Sequence, residues 1–352
     1  MLPVGVRYRR TVHVDKKPSL ISVIVPFYNL RDCVGYCMES LLAQDYDGDY
    51  EFILINDGST DGTGDLLDGY APNPRVHVIH QKNAGQSCAR NRGVLEAHGD
   101  YVTFVDGDDV VSPHYLSLLA NALSNSGAEQ VIGRHLFVPG TRAIPALEWS
   151  DSREYELLDR EVFLSHVLYE DVIASAWAHL APRKTYLANP FASGRYYEDD
   201  MAFGTQVLSA ASFALLKEPI YGYMRRAGST VRPANTSLKQ LHDFSAAIQA
   251  IEDVAKPFLP ACASGLTYHK ALELTRLFRI AGNCNEGEEE PRSCQIEALS
   301  YVRRNLMGLL VDPGVRRGDK ARFLAIAGAP WLYTRLIEAH ERREMRRATP
   351  HL

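Results

Sequence analysis

Between residues 20 and 138 two hydrophobic periods alternate, and the alternation predicts an α/β fold. The expected architecture is a mostly parallel sheet flanked by helices, with a mainly helical C-terminal region. Three observations carry this. The strand-like stretches are continuous apolar runs, as strands buried on both faces require. A helical period connects each to the next through short loops. After about residue 236 the strand pattern stops and helical periods take over.

The first strand is "LISVIVPFY" (20–28), and "CVGYCMESLLAQ" (33–44) follows with helical spacing at Val34, Cys37, Met38, Leu41 and Leu42. "YEFILIND" (50–57) is the second strand, "DGTGDLLDGYA" (61–71) a short helix and "RVHVIHQ" (75–81) the third strand. A helix over "GQSCARNRGVLEAH" (85–98) leads to a fourth strand, "DYVTFVD" (100–106). The next helix, 112–126, opens with Ser112 as N-cap and Pro113 at its first position, and "AEQVIGRHLFV" (128–138) is a fifth strand. Helices near 159–171 and 200–212 follow, and "FALLKEPIYGYMRR" (213–226) reads as strand, turn, strand. The domain plan is an N-terminal extension (1–19), an α/β domain (20–235) that divides into 20–138 and 139–235, and a helical domain (236–352).

Composition narrows the function. A chain of 352 residues with 46% hydrophobic and 23% charged residues is ordinary for a globular protein. A net charge of -5 argues against a protein built mainly to bind nucleic acid. The six cysteines show neither a CxxC pair nor a zinc quartet, which suits reduced thiols in the cytosol. The first 20 residues lack an apolar h-region, so no secretory signal is expected. The apolar run 321–333 is shorter than the roughly 20 residues a membrane span needs. A cytoplasmic protein is expected. The basic final helix, with Arg335, Arg342, Arg343, Arg346 and Arg347, is a solvated face or a peripheral contact with the inner face of the cell membrane.

Carboxylates gather where the strands end, which is where open α/β sheets bind ligands. Asp57 ends the second strand, and Asp106, Asp108 and Asp109 follow the fourth in "VDGDD". Such close acids persist most readily beside a cation, and hard divalent ions prefer carboxylate oxygens. Gly107 would let that backbone turn sharply. A solvated Asp-rich turn is the plain alternative. A second acidic group, Glu198, Asp199 and Asp200, offers a general base, or is simply a helix N-terminus favoured by the macrodipole. From Asp57 to Asp68 the acids also follow the spacing of a calcium loop. That reading fails on its flanks, because a buried strand leads in and the twelfth position is Asp instead of Glu.

Five strings occur in the order seen in family 2 glycosyltransferases: "SVIVPFYN" (22–29), "ILINDGSTDGT" (53–63), "NAGQSCARNRG" (83–93), "YVTFVDGDD" (101–109) and "EDD" (198–200). Over residues 20 to 235 the chain resembles this family, and is similar to bacterial members that build cell-surface polysaccharides or decorate wall polymers. The resemblance implies the GT-A fold, with 20–235 as the catalytic domain (nucleotide-binding half 20–138, acceptor half 139–235), and inverting transfer of a sugar from a nucleotide-diphosphate sugar, usually a UDP-sugar. The acceptor would be a glycan, lipid-linked or wall-polymer hydroxyl.

The resemblance also implies roles. Pro26, Tyr28 and Asn29 would line the nucleotide pocket, with Asp57 accepting from the base. Asn83, Gly85, Arg90 and Asn91 would support the nucleotide sugar. Asp106, with Gly107, and Asp108 match the family's Asp-x-Asp element, which binds Mn²⁺ or Mg²⁺ on the diphosphate. Arg225 or Arg226, in "YMRRAGSTVR", would approach that diphosphate. The base is Asp199 by the Glu-Asp string, or Asp200 by counting back from Phe203, with Glu198 beside them. No Gln-x-x-Arg-Trp element is present, which favours single or few additions.

Other classes lack their marks. A nucleotidyltransferase wants a Gly-rich phosphate loop after the first strand, and a dehydrogenase wants G-x-G-x-x-G there. "PFYNLRDC" offers neither. A serine hydrolase would need G-x-S-x-G. A non-catalytic nucleotide-sugar-binding or scaffolding module is the remaining alternative, and the intact acids weigh against it.

Overall fold

The computed structural model describes residues 18–141, 144, 147–224, 236–284, 289–331 and 333–335, the side chains of 206–208 excepted. Arg225, Arg226 and most of the basic final helix lie outside these residues.

Four strands form the parallel part of the sheet: β1 (Ile21–Phe27), β2 (Tyr50–Asp57), β3 (Val76–Gln81) and β4 (Tyr101–Phe104), in the order β3-β2-β1-β4. Every residue of β1 and β2 is buried. The two-residue period divides the apolar run between two cores. Ile21, Val23 and Val25 pack with α1 (Arg31–Leu42), through Cys33, Val34, Cys37, Met38 and Leu41, and with α4 (Tyr115–Ser126). Ile24, Ile53 and Ile55 face the opposite way, onto Ala89 and Val94 of α3 (Gln86–Glu96). The short α2 is Thr63–Asp68.

Beyond β4 the sheet becomes mixed. A short strand, β8 (His179–Pro182), enters antiparallel between β4 and β6 (Gln130–Val138). β9 (Ser212–Met224) runs parallel to β6 and takes β5 (Val110–Val111) and β7 (Tyr155–Asp159) antiparallel. So the fifth predicted strand is not the neighbour of the fourth. Four residues from a later part of the chain separate them, and nothing so short announces itself by periodicity.

Two other expectations change. Residues 213–226 do not fold as strand, turn, strand, because Ser212–Met224 is one continuous strand. Its Pro219 faces β6 where the register is irregular, between Ile132 and His135, so the missing N–H interrupts no regular ladder. Helix α4 begins at Tyr115 instead of Ser112. Ser112 Oγ accepts from His114 N at 3.1 Å and its carbonyl from Tyr115 N at 3.0 Å, so both close a turn ahead of the helix.

The chain divides into two units. One holds the sheet and its helices, with α5 (Arg160–Leu168) up to Phe163, α6 (Arg183–Ala188) and α7 (Glu198–Leu208). The other takes Leu164–Ile173, which the sequence reading keeps inside 139–235, together with α8 (Leu238–Ala255), α9 (Ala263–Gly282), α10 (Glu289–Val311) and α11 (Arg317–Gly328). A Ser237–Gln240 capping box starts α8, satisfying two orphan backbone donors reciprocally. The Tyr268 hydroxyl donates to Asp319 at 2.6 Å, tying α9 to α11. No described helix is long and apolar enough to cross a membrane.

Helix α3 lies close on β1 because it carries glycine at the contact. A Cβ on Gly93 would stand 2.3 Å from Ile24 Cγ2. Gly93→Ala gains up to about 1 kcal/mol of helix propensity but overpacks the core at about 1–3 kcal/mol. The clash wins, and a lower urea midpoint is the expected outcome.

Candidate active site

The ends of β1 and β2, the loops after β1, β3 and β4 and the start of α7 hold the residues that the sequence singles out. Asn29, at φ 52, adopts the left-handed conformation that asparagine tolerates. This lets its backbone N–H donate to Ser59 Oγ (3.0 Å) and its Oδ1 accept from Thr60 N (2.9 Å). Asp61 accepts from Arg31 N at 3.1 Å and from the Thr63 hydroxyl at 2.6 Å. The first two loops are therefore laced together, leaving Tyr28 49% exposed above them. Pro26 is buried in β1, its carbonyl against Gly107.

Asp57 is buried at the end of β2, and its carboxylate already has three donors. Gln81 Nε2 (2.7 Å) and Ala84 N (2.9 Å) reach Oδ1, and Gly85 N (2.8 Å) reaches Oδ2. It holds the 82–85 loop at the entry to α3, with Gly85 at φ 89. Gly58, at φ 73, accepts the backbone of Asn83 so closely that a Cβ would lie 2.5 Å from its nitrogen. The calcium spacing dissolves here: Asp57, Asp61 and Asp68 turn to separate partners, Asp68 to His80 at 3.0 Å.

The Asp-Gly-Asp-Asp stretch forms a turn closed by Asp109 N donating to the Asp106 carbonyl at 3.0 Å. Gly107 serves it by close approach instead of unusual torsion. A Cβ there would meet Phe27 Cδ1 at 2.5 Å and the Pro26 carbonyl at 2.7 Å. Asp109 is buried and structural, taking Tyr221 OH at 2.6 Å and Met224 N at 2.8 Å. The Asp106 backbone N–H donates to the same Tyr221 hydroxyl. Tyr36 OH donates to the Asp108 carbonyl at 3.0 Å. Burial, then the charges of Asp108 and Asp106, raise the Asp109 pKa well above the carboxylate range.

Arg90 joins the two acidic groups. It is 1% exposed, with Nη2 2.8 Å from Asp106 Oδ1 and Nη1 2.9 Å from Glu198 Oε1. Burial pushes the guanidinium pKa down, and the charges of Asp106, Glu198 and Asp199 more than reverse it. Its plane lies over Phe191, 5.4 Å from the centroid, which adds a cation–π contact. Asn91, expected beside the nucleotide sugar, instead spends its amide on Phe191. It donates to the Phe191 carbonyl and accepts from its N–H, at 2.8 and 2.9 Å.

Asp199 and Asp200 open α7 behind Tyr197, which holds φ 58. Asp199 Oδ1 accepts from Asp200 N at 3.1 Å. Burial and the Glu198 charge push Asp199 up to about 7, against the pull of Arg90. A carboxylate poised near neutrality suits proton abstraction. Trp177 is buried and stacked on Tyr221 at 4.5 Å, and burial pushes His179 down to about 3, so it is neutral.

The donor set suits a hard cation. Asp106 Oδ1 takes Arg90 and Gln86 Nε2 (3.0 Å), while Oδ2 has no hydrogen-bond partner among the described residues. With Asp108 and Asp109 in the same turn, negative charge crowds the end of β4, and carboxylate oxygens are what Mn²⁺ and Mg²⁺ bind.

Sequence reasoning missed Gln81, Gln86, Phe191 and Tyr221. Gln86 sits within "NAGQS" and could have been noticed; Tyr221 has no local signal. Arg90→Met would leave Asp106 and Glu198 uncompensated, and breaking a buried pair costs about 3–5 kcal/mol. A lowered melting temperature is expected, which Arg90→Lys restores only in part because an ammonium cannot span both acids.

The profile of Glycosyl transferase family 2 matches residues 22–169. Glycosyltransferase GlyG of Streptococcus pneumoniae serotype 4 is 31% identical over 231 residues, which is 61% of this chain and 73% of GlyG. Glycosyltransferase GlyA of the same organism is 30% identical over 226 residues, 62% of this chain, and the match spans only 32% of GlyA. Among solved structures, S. aureus TarS 1-349 in complex with UDP-GlcNAc superimposes with TM-score 0.62 and 18% identity, over 92% of this chain and 91% of that one. The mannosyltransferase PcManGT from Pyrobaculum calidifontis, in complex with GDP-Man and Mn²⁺, gives TM-score 0.50 and 16% identity over 94% and 86%. With the strand-end acids, the GT-A architecture and these similarities together, the chain belongs to glycosyltransferase family 2 and is a glycosyltransferase.

Proposed function

We propose that this enzyme transfers a sugar, with inversion, from a UDP-sugar to a hydroxyl of a glycan, lipid-linked or wall-polymer acceptor. One observation carries the reading: Arg90 holds Asp106, at the donor end of the sheet, to Glu198, which adjoins Asp199. A donor acid and an acceptor-side acid therefore share one buried cation. TarS, solved with UDP-GlcNAc, supports the donor class.

In this reading Tyr28, Asn29 and the 82–85 loop held by Asp57 frame the nucleotide. Asp106 and Asp108 would hold the Mn²⁺ or Mg²⁺, which when bound stabilises negative charge on the leaving diphosphate. PcManGT, solved with Mn²⁺, supports that assignment. Asp199 takes the proton from the acceptor hydroxyl. The acceptor oxygen then bonds to the anomeric carbon as the anomeric carbon–oxygen bond to the β-phosphate breaks, and the nucleoside diphosphate leaves with the electron pair.

The pH dependence follows from Asp199. With its pKa at about 7, it is mostly protonated in mildly acidic solution and becomes a base as pH rises. A rising limb in kcat/KM with an apparent pKa near 7 is expected. Glu198→Gln removes the neighbouring negative charge and moves that limb to lower pH. For stability the sign is opposite: a carboxyl with a raised folded pKa stabilises the fold less as pH climbs from the ordinary carboxylate range toward 7.

The decisive assay is UDP release from a panel of UDP-sugars with Mn²⁺, with and without acceptors. Release stimulated by an acceptor supports the transferase, and silence with every donor favours a binding module. Asp199→Asn should lower the rate by at least about 10²-fold, the smaller end of what a general base contributes. Asp200→Asn should retain most of it, and the reverse pattern would move the base to Asp200.

A further inference from the structure

A second group of candidate ligands lies within the helical unit. Glu170, His269 and Glu273 each bring one donor atom to within 4.8 Å of the others. His269 and Glu273 stand four apart on α9, hence on one face, and each is 7% exposed. Glu170 comes from the turn that ends α5, where its N–H donates to the Val167 carbonyl at 3.0 Å.

Three observations distinguish this group from an ordinary ion cluster. First, Glu170 has φ 59 at a helix end that normally takes glycine or asparagine. A side chain is uncommon there, and what this carboxylate touches is His269 and Arg276. Second, His269 Nδ1 is buried and makes no well-aligned hydrogen bond among the described residues. It nevertheless lies 3.3 Å from Glu170 Oε1. Third, that separation suits two ligands of one metal: with Zn–N and Zn–O bonds of about 2.0–2.1 Å, the edge of a tetrahedron is about 3.3 Å. A positive charge already sits there. Arg276 reaches Glu170 Oε2 at 3.1 Å and pairs with Glu273, but its side chain is 45% exposed and can withdraw into solvent.

We propose that Glu170, His269 Nδ1 and Glu273 bind one divalent transition metal of the zinc class, with water at the remaining position and Arg276 displaced. Imidazole and carboxylate donors together select such ions over Mg²⁺ or Ca²⁺. The metal would tie the Leu164–Ile173 segment to α9. Its role is structural.

The test uses the full chain stripped with EDTA and titrated with ZnCl₂ against a chromophoric chelator, with melting temperature followed in parallel. One Zn²⁺ per chain and a rise in melting temperature are expected. His269→Ala and Glu273→Gln should each weaken binding at least tenfold. Asp108→Asn should leave it intact, which assigns the ion to this group instead of the strand-end acids. Arg276→Met removes the competing guanidinium and should tighten binding. Failure of both the unsubstituted chain and Arg276→Met to bind Zn²⁺, or binding that survives His269→Ala undiminished, overturns the proposal.

Discussion

A single buried guanidinium sets the geometry on which the catalytic unit depends. Arg90 stands on the sheet-facing side of α3, carries full charge in the interior, and bonds one acid from the β4 turn and one from the start of α7. Such a triad adds little net stability, since desolvating three charges offsets most of their attraction. Its effect is positional. The two acids cannot drift apart without exposing or orphaning a charge, so the strand-end turn and the α7 N-terminus are held in one arrangement. The support extends outward: Asn91 clamps Phe191, and Phe191 lies under the guanidinium.

The second constraint is electrostatic crowding. Asp106, Asp108 and Asp109 occupy one tight turn, and the protein treats them differently. Asp109 is buried against Tyr221 and the Met224 N–H, and burial with the charges of Asp108 and Asp106 raises its pKa. Asp106 is shared with Arg90 and Gln86. Asp199 feels the same field, and burial with a like-charged neighbour places it where a modest pH change alters its state. Burial, neighbouring charge and hydrogen bonding thus turn nearby carboxyls into a structural acid, a positioned acceptor and a carboxyl poised near neutrality.

Much of the catalytic unit was legible in the residues. The apolar runs of β1 and β2 fill both cores, and the strand-end acids lie where an open sheet binds ligands. The departures share a cause. β8 is four residues long, too short for a period to show. Lys217, Glu218 and Pro219 look like a turn, yet β9 continues through them because β6 accommodates the irregularity. Gly107 was expected to permit a sharp torsion, and it is needed because Phe27 and Pro26 press against it.

The sequence by itself determined the layered α/β architecture, the helical C-terminal region and the family. Hydrophobic period is a local property, and the strings that carry the resemblance are contiguous. Only the tertiary structure decided which acids share Arg90, that Asp57 spends three hydrogen bonds on the 82–85 loop, and that Asp199 titrates near neutrality. It also decided that Glu170 meets His269 and Glu273 in the helical unit. Desolvation and Coulomb interaction depend on neighbours in space, and those neighbours come from distant parts of the chain.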